Sequence, residues 1–186
     1  LRTLRDWRLA GRRALNERMQ RLGRNYVLAM TDVDHFKKFN DTHGHDVGDQ
    51  VLRLVASKLS KVTGGGRAYR YGGEEFCLVF AGKTLEECIP HLEAVREMIA
   101  NYAIQLRNQE NRPQDDQQGR QRRGTAGGGS VSVTVSIGVC ERQPEHRTPE
   151  EVLKAADQAL YAAKGAGRNC VMAHGQKERR GALRVA

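Results

Sequence analysis

Two acidic pairs, Asp32 with Asp34 and Glu74 with Glu75, are the first residues in this sequence that could do chemistry. Asp32 and Asp34 follow the apolar run Tyr26-Val27-Leu28-Ala29-Met30, at the point where side chains leave a core for a cleft. Glu74 and Glu75 follow Gly72-Gly73 between two further apolar runs, which places them in the turn of a hairpin. If the strands are sheet neighbours, these carboxylates converge. Clustered carboxylates repel one another, so a hard cation among them is favourable. Magnesium takes one or two carboxylates together with substrate phosphates. Such a site can polarise a phosphoryl oxygen and help activate a hydroxyl nucleophile. Gly72 and Gly73 allow a tight turn and a close approach of substrate to the backbone. Spacing alone leaves a plainer alternative open, in which these acids are simply solvated at strand ends and turns.

Lys37, Lys38, Lys164 and Arg168 could hold phosphates. Lys164 lies in the last turn of an expected helix, where a cation also complements the helix dipole. His43 and His45 read as surface residues rather than metal ligands. The net charge of +9 suggests an anionic partner. Much of that charge sits in polar stretches (Arg120, Arg122, Arg123, Arg179, Arg180, Arg184) that read as solvated. Nucleic-acid binding is not expected, since interleaved aromatics and a reading module are lacking. Cys77, Cys88, Cys140 and Cys170 form no Cys-x-x-Cys pair and read as reduced, packed thiols of a cytoplasmic domain.

The elements that must position these groups follow from periodicity. Leu4 to Leu22 reads as a helical entry segment, and Tyr26 to Met30 as a buried strand. A polar turn is expected around Asn40 to His45, then a helix from about Val47 to Val62 with Val51, Leu52, Leu54, Val55 and Leu59 inward. Arg67 to Tyr71 and Phe76 to Phe80 read as hairpin strands, and Leu85 to about Leu106 as a helix. Residues 108–130 are polar and read as a flexible loop within the domain. Val131 to Val139 alternates strictly and reads as one strand. Thr148-Pro149-Glu150-Glu151 starts a helix with a capping box at Thr148 and Glu151. Its stripe is Val152, Leu153, Ala156, Ala159, Leu160 and Ala163. Cys170 to Met172 reads as a last short strand. The expected organisation is an entry segment (1–24), a domain (25–174) and a basic, disordered tail (175–186). The expected fold class is α+β, a central sheet, partly antiparallel, flanked by helices. No apolar run approaches the ~20 residues of a membrane span. A start at Leu1 rather than Met suggests an excised piece, with an upstream sensor or dimerisation region and a whole protein either soluble or membrane-anchored.

Four blocks carry a resemblance. They are Asp32-Val33-Asp34-His35-Phe36-Lys37-Lys38-Phe39-Asn40-Asp41 through Gly48-Asp49, Arg70-Tyr71-Gly72-Gly73-Glu74-Glu75-Phe76, Val133 to Val139, and Ala155 through Lys164 to Asn169. In this order and spacing, over roughly residues 25 to 172, they closely resemble the GGDEF family of diguanylate cyclases, here in a Gly-Gly-Glu-Glu-Phe variant. The resemblance implies condensation of two GTP into cyclic di-GMP with release of two pyrophosphates, at the interface of a homodimer. It implies a largely antiparallel five-stranded sheet like the palm of adenylyl cyclases and polymerases. It implies that Asp32, Glu74 and the carbonyl of Val33 bind Mg2+, with Mn2+ as a substitute. Glu75, or Glu74 itself, would assist deprotonation of the ribose 3′-hydroxyl. Lys37, Lys164 and Arg168, with the backbone at His35 and Phe36, would hold the β- and γ-phosphates. Asn40 and Asp49 would read guanine. A buried Asp49 would be left unpaired by adenine, which implies selectivity for GTP.

Two departures stand out. Where many members carry an Arg-x-x-Asp inhibitory site, this sequence reads Thr63-Gly64-Gly65-Gly66, so product inhibition through that site is not expected. The opening Leu4 to Arg13 keeps only Leu9 and the Arg12-Arg13 pair of the family pattern. The other function weighed is a domain that binds GTP or cyclic di-GMP without turning it over.

Overall fold

The apolar run at Tyr26 continues through Thr31-Asp32-Val33 in a single strand, β1 (Tyr26–Val33), buried along its whole length. The computed structural model describes residues 9–105 and 129–175. After β1 come α2 (Phe36–His43), α3 (His45–Leu59), β2 (Arg67–Arg70), β3 (Glu75–Ala81) and α4 (Leu85–Ala100), with α1 (Arg12–Leu22) before it. Then follow β4 (Ile104–Gln105), β5 (Ser130–Val131), β6 (Val135–Glu141), α5 (Pro149–Gly165) and β7 (Val171–Ala173).

The main sheet runs β2-β3-β1-β6-β7. All neighbours are antiparallel except β6 and β7. This is the α+β, mixed and largely antiparallel five-stranded sheet that was expected. A strand at the centre of a two-sided sandwich is buried on both faces, which is why Tyr26 to Met30 reads as a continuous apolar run. Val27, Ala29 and Val33 pack with Val51, Val55, Leu78, Leu92 and Ile137 under α3 and α4. Tyr26, Leu28 and Met30 pack with Leu15, Met19, Val152, Ala156 and Leu160 under α1 and α5. Asp32 continues the second set, so its side chain emerges on the α5 side. Gly138 lets α5 approach β6 closely: a Cβ there would overlap the backbone nitrogen of Leu160 and the carbonyl of Ala156.

Several boundaries differ from expectation. The turn expected at Asn40 to His45 is instead the end of α2, joined to α3 at Gly44 (φ 83°). Phe36 is buried and Phe39 packs on the core, an i, i+3 apolar pair that holds this polar-looking segment helical. α4 ends at Ala100 rather than near Leu106, and the chain enters β4, which pairs with β5 in a small second sheet. The strand expected over Val131 to Val139 is split between β5 and β6, in different sheets. Val133 is buried between them without belonging to either, so alternation there records core packing rather than a continuous ladder. At the start of α5 the capping box is incomplete. Thr148 Oγ1 accepts from the Glu151 N–H, but the Glu151 carboxylate accepts from the Arg147 N–H at 2.6 Å. A complete box stands at Thr84 and Glu87 of α4.

Within the described part of the entry segment, α1 begins only at Arg12. Ala10 instead forms a parallel bridge to Tyr69 on the sheet edge, and its carbonyl accepts from Arg70 N–H at 2.9 Å. Residues 1–8, most of the polar loop (106–128) and the tail from 176 lie outside the described residues. No helix among the described residues is long and apolar enough to cross a membrane.

Candidate active site

The β1–β3 register brings the two acidic clusters together. Asp32 lies directly across from Glu75, and Val33 N–H donates to the Glu74 carbonyl at 3.4 Å. The hairpin is tight. Tyr71 N–H and Gly72 N–H both donate to the Glu75 carbonyl, at 2.9 and 3.1 Å. Arg70 closes it from within, donating from Nε to Gly72 O at 3.2 Å and from Nη2 to Gly73 O at 2.7 Å. Neither Gly72 nor Gly73 uses left-handed backbone. Gly72 serves differently: a Cβ there would lie 2.7 Å from Glu75 Oε2, so its absence makes room for that carboxylate. Gly73 is exposed, with open space where a side chain would be.

Lys164 Nζ, from the last turn of α5, lies 2.9 Å from Asp32 Oδ1. Asp32 is 6% exposed. Burial raises its proton affinity above the usual carboxylate range, although Lys164 opposes the shift. Glu74 and Glu75 are raised as well, first by burial and then by the charge of Asp32. Among the described residues Lys164 is the one cation that acts on all three acids, and a bound positive charge would relieve them further. Among the described residues no group of three or more His, Cys, Asp or Glu side chains is arranged to hold a metal by itself. Carboxylate oxygens are hard donors, the kind magnesium takes in ones and twos beside substrate phosphates.

Asp34, grouped by the sequence with the converging acids, is held elsewhere. Its Oδ1 accepts from Ser136 Oγ at 2.6 Å, and its Oδ2 accepts from Thr134 Oγ1 at 2.7 Å and from Asn169 N–H at 3.1 Å. His35 caps α2 in a left-handed conformation (φ 55°), and the first N–H groups of that helix, from Phe36 and Lys37, have no intrahelical acceptor. Lys37 and Arg168 are exposed. Arg168 sits in the turn after α5, near enough to Asp32 to lower its proton affinity.

Asn40 and Asp49 belong to a second region at the α2–α3 joint. The Asn40 side chain occupies the space above Gly48, where a Cβ would overlap it, and its Oδ1 is buried without a hydrogen-bond partner. Asp49 is exposed rather than buried. Residue types alone missed Arg70, which pins the hairpin, and Arg12, whose guanidinium lies 4.7 Å from the Tyr71 ring centroid and whose charge acts on Glu75. The retained Arg12-Arg13 pair was the available signal for the latter. The four thiols are free. Burial pushes Cys88 up to about 12 and Cys140 up to about 11, so neither is a nucleophile near neutral pH. A cavity of about 700 Å³ opens beside Arg18, Gly66 and Arg67, and no predicted site residue lines it.

Comparison with known proteins places the chain in a family. The family described as diguanylate cyclase, GGDEF domain, matches residues 8–170. The chain is 38% identical over 151 residues to the diguanylate cyclase VdcA of Vibrio cholerae, covering 81% of this chain and 39% of that protein. It is 38% identical over 153 residues to the response regulator PleD of Caulobacter vibrioides, covering 81% of this chain and 30% of that protein. The chain therefore spans less than half the length of these relatives. Among solved structures, the GGDEF domain of DgcB from Caulobacter crescentus, in complex with c-di-GMP, superposes with a TM-score of 0.75 at 34% identity, covering 90% of each chain.

Proposed function

This chain belongs to the GGDEF family of diguanylate cyclases, and we propose that it condenses two GTP into cyclic di-GMP and releases two pyrophosphates, with two copies of the chain each presenting one GTP to the other. The observation that carries this reading is Asp32 facing Glu75 across β1 and β3, with Lys164 at 2.9 Å. Asp32, Glu74 and the Val33 carbonyl would hold Mg2+, or Mn2+ in its place. When bound, the ion polarises a phosphoryl oxygen and favours ionisation of the attacking hydroxyl. The ribose 3′-oxygen of one GTP forms a bond to the α-phosphorus of the other. The bond from that phosphorus to the bridging oxygen of the β-phosphate breaks, and pyrophosphate leaves. Glu75, or Glu74, takes the 3′-hydroxyl proton; the position of both in the hairpin turn beside Asp32 supports this role.

Lys164, Arg168 and Lys37, with the backbone N–H groups at His35 and Phe36, hold the β- and γ-phosphates. A helix N-terminus preceded by a left-handed residue suits an anion. Asn40 and Asp49 read the guanine edge. The unpaired Asn40 Oδ1 supports this, because a buried acceptor gains by meeting a donor. Asp49 would gain its burial from the base itself. Product inhibition through the Arg-x-x-Asp position is absent from this reading. Thr63 there bonds its hydroxyl to His91 Nδ1 at 2.7 Å, and Gly64 packs against the same ring. The free thiols support a reducing, cytosolic setting.

The direct test incubates the purified chain with GTP and Mg2+ and separates the nucleotides. Cyclic di-GMP is expected. Its absence at high protein concentration, with GTP still bound, would replace this reading by that of a nucleotide-binding domain without turnover. Replacing Asp49 by Ser should relax base choice towards ATP, and unchanged selectivity would remove Asp49 from the base-reading role. A tight, product-dependent loss of rate would contradict the reading of Thr63 to Gly66.

A further inference from the structure

The turn that carries Arg168 is strained. Gly167, Arg168 and Asn169 have φ values of 111°, 67° and 45°, three successive residues on the left-handed side. Glycine adopts such angles freely, but Arg and Asn do so at a cost. Conformations of this kind persist where the surroundings over-determine them, and they cluster at functional sites.

Here the surroundings act from two sides. Asp34 Oδ2 accepts the Asn169 N–H at 3.1 Å, and Asp34 is itself fixed by the hydroxyls of Thr134 and Ser136. From α4, Arg96 Nη1 donates to Asn169 Oδ1 at 2.8 Å. Arg96 is aimed by Glu93 at 2.6 Å and Glu97 at 3.3 Å, and its side chain is 14% exposed. One residue is thus gripped by its backbone and by its side chain, and that residue is the neighbour of Arg168. Lys164, the other cation on this side, stands on a regular helix and makes its own bond to Asp32.

We infer that Asp34 and Arg96 are positioning residues that clamp Asn169 and thereby present Arg168 to the outer phosphates of the nucleotide. The inference rests on the reading of Arg168 as a phosphate ligand. Neither Asp34 nor Arg96 touches substrate. With the clamp released, the turn keeps the bond from Arg168 N–H to Ala163 O at 3.1 Å but loses both holds on Asn169, so Arg168 is presented less often and triphosphate binding weakens. The guanine contacts at the α2–α3 joint are untouched.

The test compares two ligands. One is 3′-deoxy-GTP, which lacks the attacking hydroxyl and so reports binding alone. The other is GMP, which lacks the β- and γ-phosphates. The Kd of each is measured by calorimetry for Arg168→Ala, Arg96→Ala, Asp34→Ala, Asp34→Asn and the Arg96→Ala/Arg168→Ala pair. Arg168→Ala is expected to weaken 3′-deoxy-GTP roughly tenfold or more, the worth of a hydrogen bond to a charged group. Arg96→Ala and Asp34→Ala are expected to weaken it several-fold, up to about the Arg168→Ala value. All three should leave GMP unchanged. The pair should bind no more weakly than Arg168→Ala alone, because the clamp acts only through Arg168. Asp34→Asn should largely restore binding, since its amide oxygen can still accept from Asn169 N–H while Ser136 turns to accept from the amide.

Additive losses in the pair would overturn the inference, as would equal losses for both ligands or an unchanged triphosphate affinity in Arg96→Ala. Arg168→Ala binding like the unaltered chain would instead overturn the phosphate reading itself, and the clamp with it. Among the described residues the hydrogen-bond partners of Arg96 are Glu93, Glu97 and Asn169, none of them in the β-sheet core around Asp34, so this arm stands even where Asp34→Ala does not fold.

Discussion

Asp32 and Asp34 are the same residue type, two positions apart, and equally buried at 6% exposure. Their circumstances are opposite. Asp34 receives three hydrogen bonds, from Thr134, Ser136 and Asn169. Asp32 has one ammonium partner, faces two further acids, and holds its proton more tightly than an ordinary aspartate. One carboxylate is satisfied by the protein; the other is left in need of positive charge. A buried charge without full compensation is costly for the fold, and such a cost is borne where a ligand will supply what is missing. The difference separates an acid that organises its neighbours from one left open to a ligand more cleanly than burial or sequence position does.

The sharpest way to break this contrast is to neutralise each acid in turn. Asp32→Asn or Glu74→Gln should cut turnover by on the order of a hundredfold or more, the loss of several kcal/mol of charge stabilisation, while the domain stays folded by circular dichroism. Retained activity in either would dissolve the contrast. Next, Gly138→Ala should cost about 1–3 kcal/mol of stability in a denaturant titration, because its Cβ meets the α5 backbone rather than a movable side chain. Any displacement of α5 shifts Lys164 relative to Asp32, so residual activity should fall by more than the folded fraction does. Activity that tracks the folded fraction alone would mean that the distance from Lys164 to Asp32 does not matter.

Asp34→Ala should destabilise by about 2 kcal/mol, leaving buried hydroxyls and an N–H without their acceptor. In a chain of this length that lowers the melting temperature by roughly 4–8 °C. Asp32→Asn is expected to give the smallest and opposite effect, a melting temperature that stays level or rises without metal. The folded-state proton affinity of Asp32 is raised, so its neutral form is favoured by folding and the stability it contributes is lost as pH rises. A clear fall in melting temperature for Asp32→Asn, matching that of Asp34→Ala, would erase the distinction.

Much of the fold was legible because burial leaves a periodic record. The uninterrupted run at Tyr26 to Met30 announced a strand covered on both faces, and the stripe from Val152 to Ala163 announced α5. What was hidden was whatever depended on a distant partner. α2 looked like a turn because only Phe36 and Phe39 of its eight residues reach the core. Val131 to Val139 looked like one strand because Val133 keeps the alternation while the hydrogen bonding changes sheet. In the site, Asp32 and Glu75 could be paired once both strands were recognised. Residue type and spacing did not tell Asp34 from Asp32, because its partners lie 100, 102 and 135 positions along the chain; only the family resemblance set Asp32 apart. The selectivity argument took Asp49 as buried, and it is exposed near the start of α3.

The bridge from Ala10 to Tyr69 has a mechanical consequence. Ala10 O is bonded to Arg70 N–H, and the guanidinium of the same Arg70 grips the carbonyls of Gly72 and Gly73. The entry segment at Ala10 and the acidic hairpin are therefore joined through one residue, whose main chain meets the first and whose side chain holds the second. Replacing Arg70 by Ala would keep the main-chain bond to Ala10 and remove the grip on Gly72 and Gly73, so the edge of the sheet would persist while its acidic turn lost its pin.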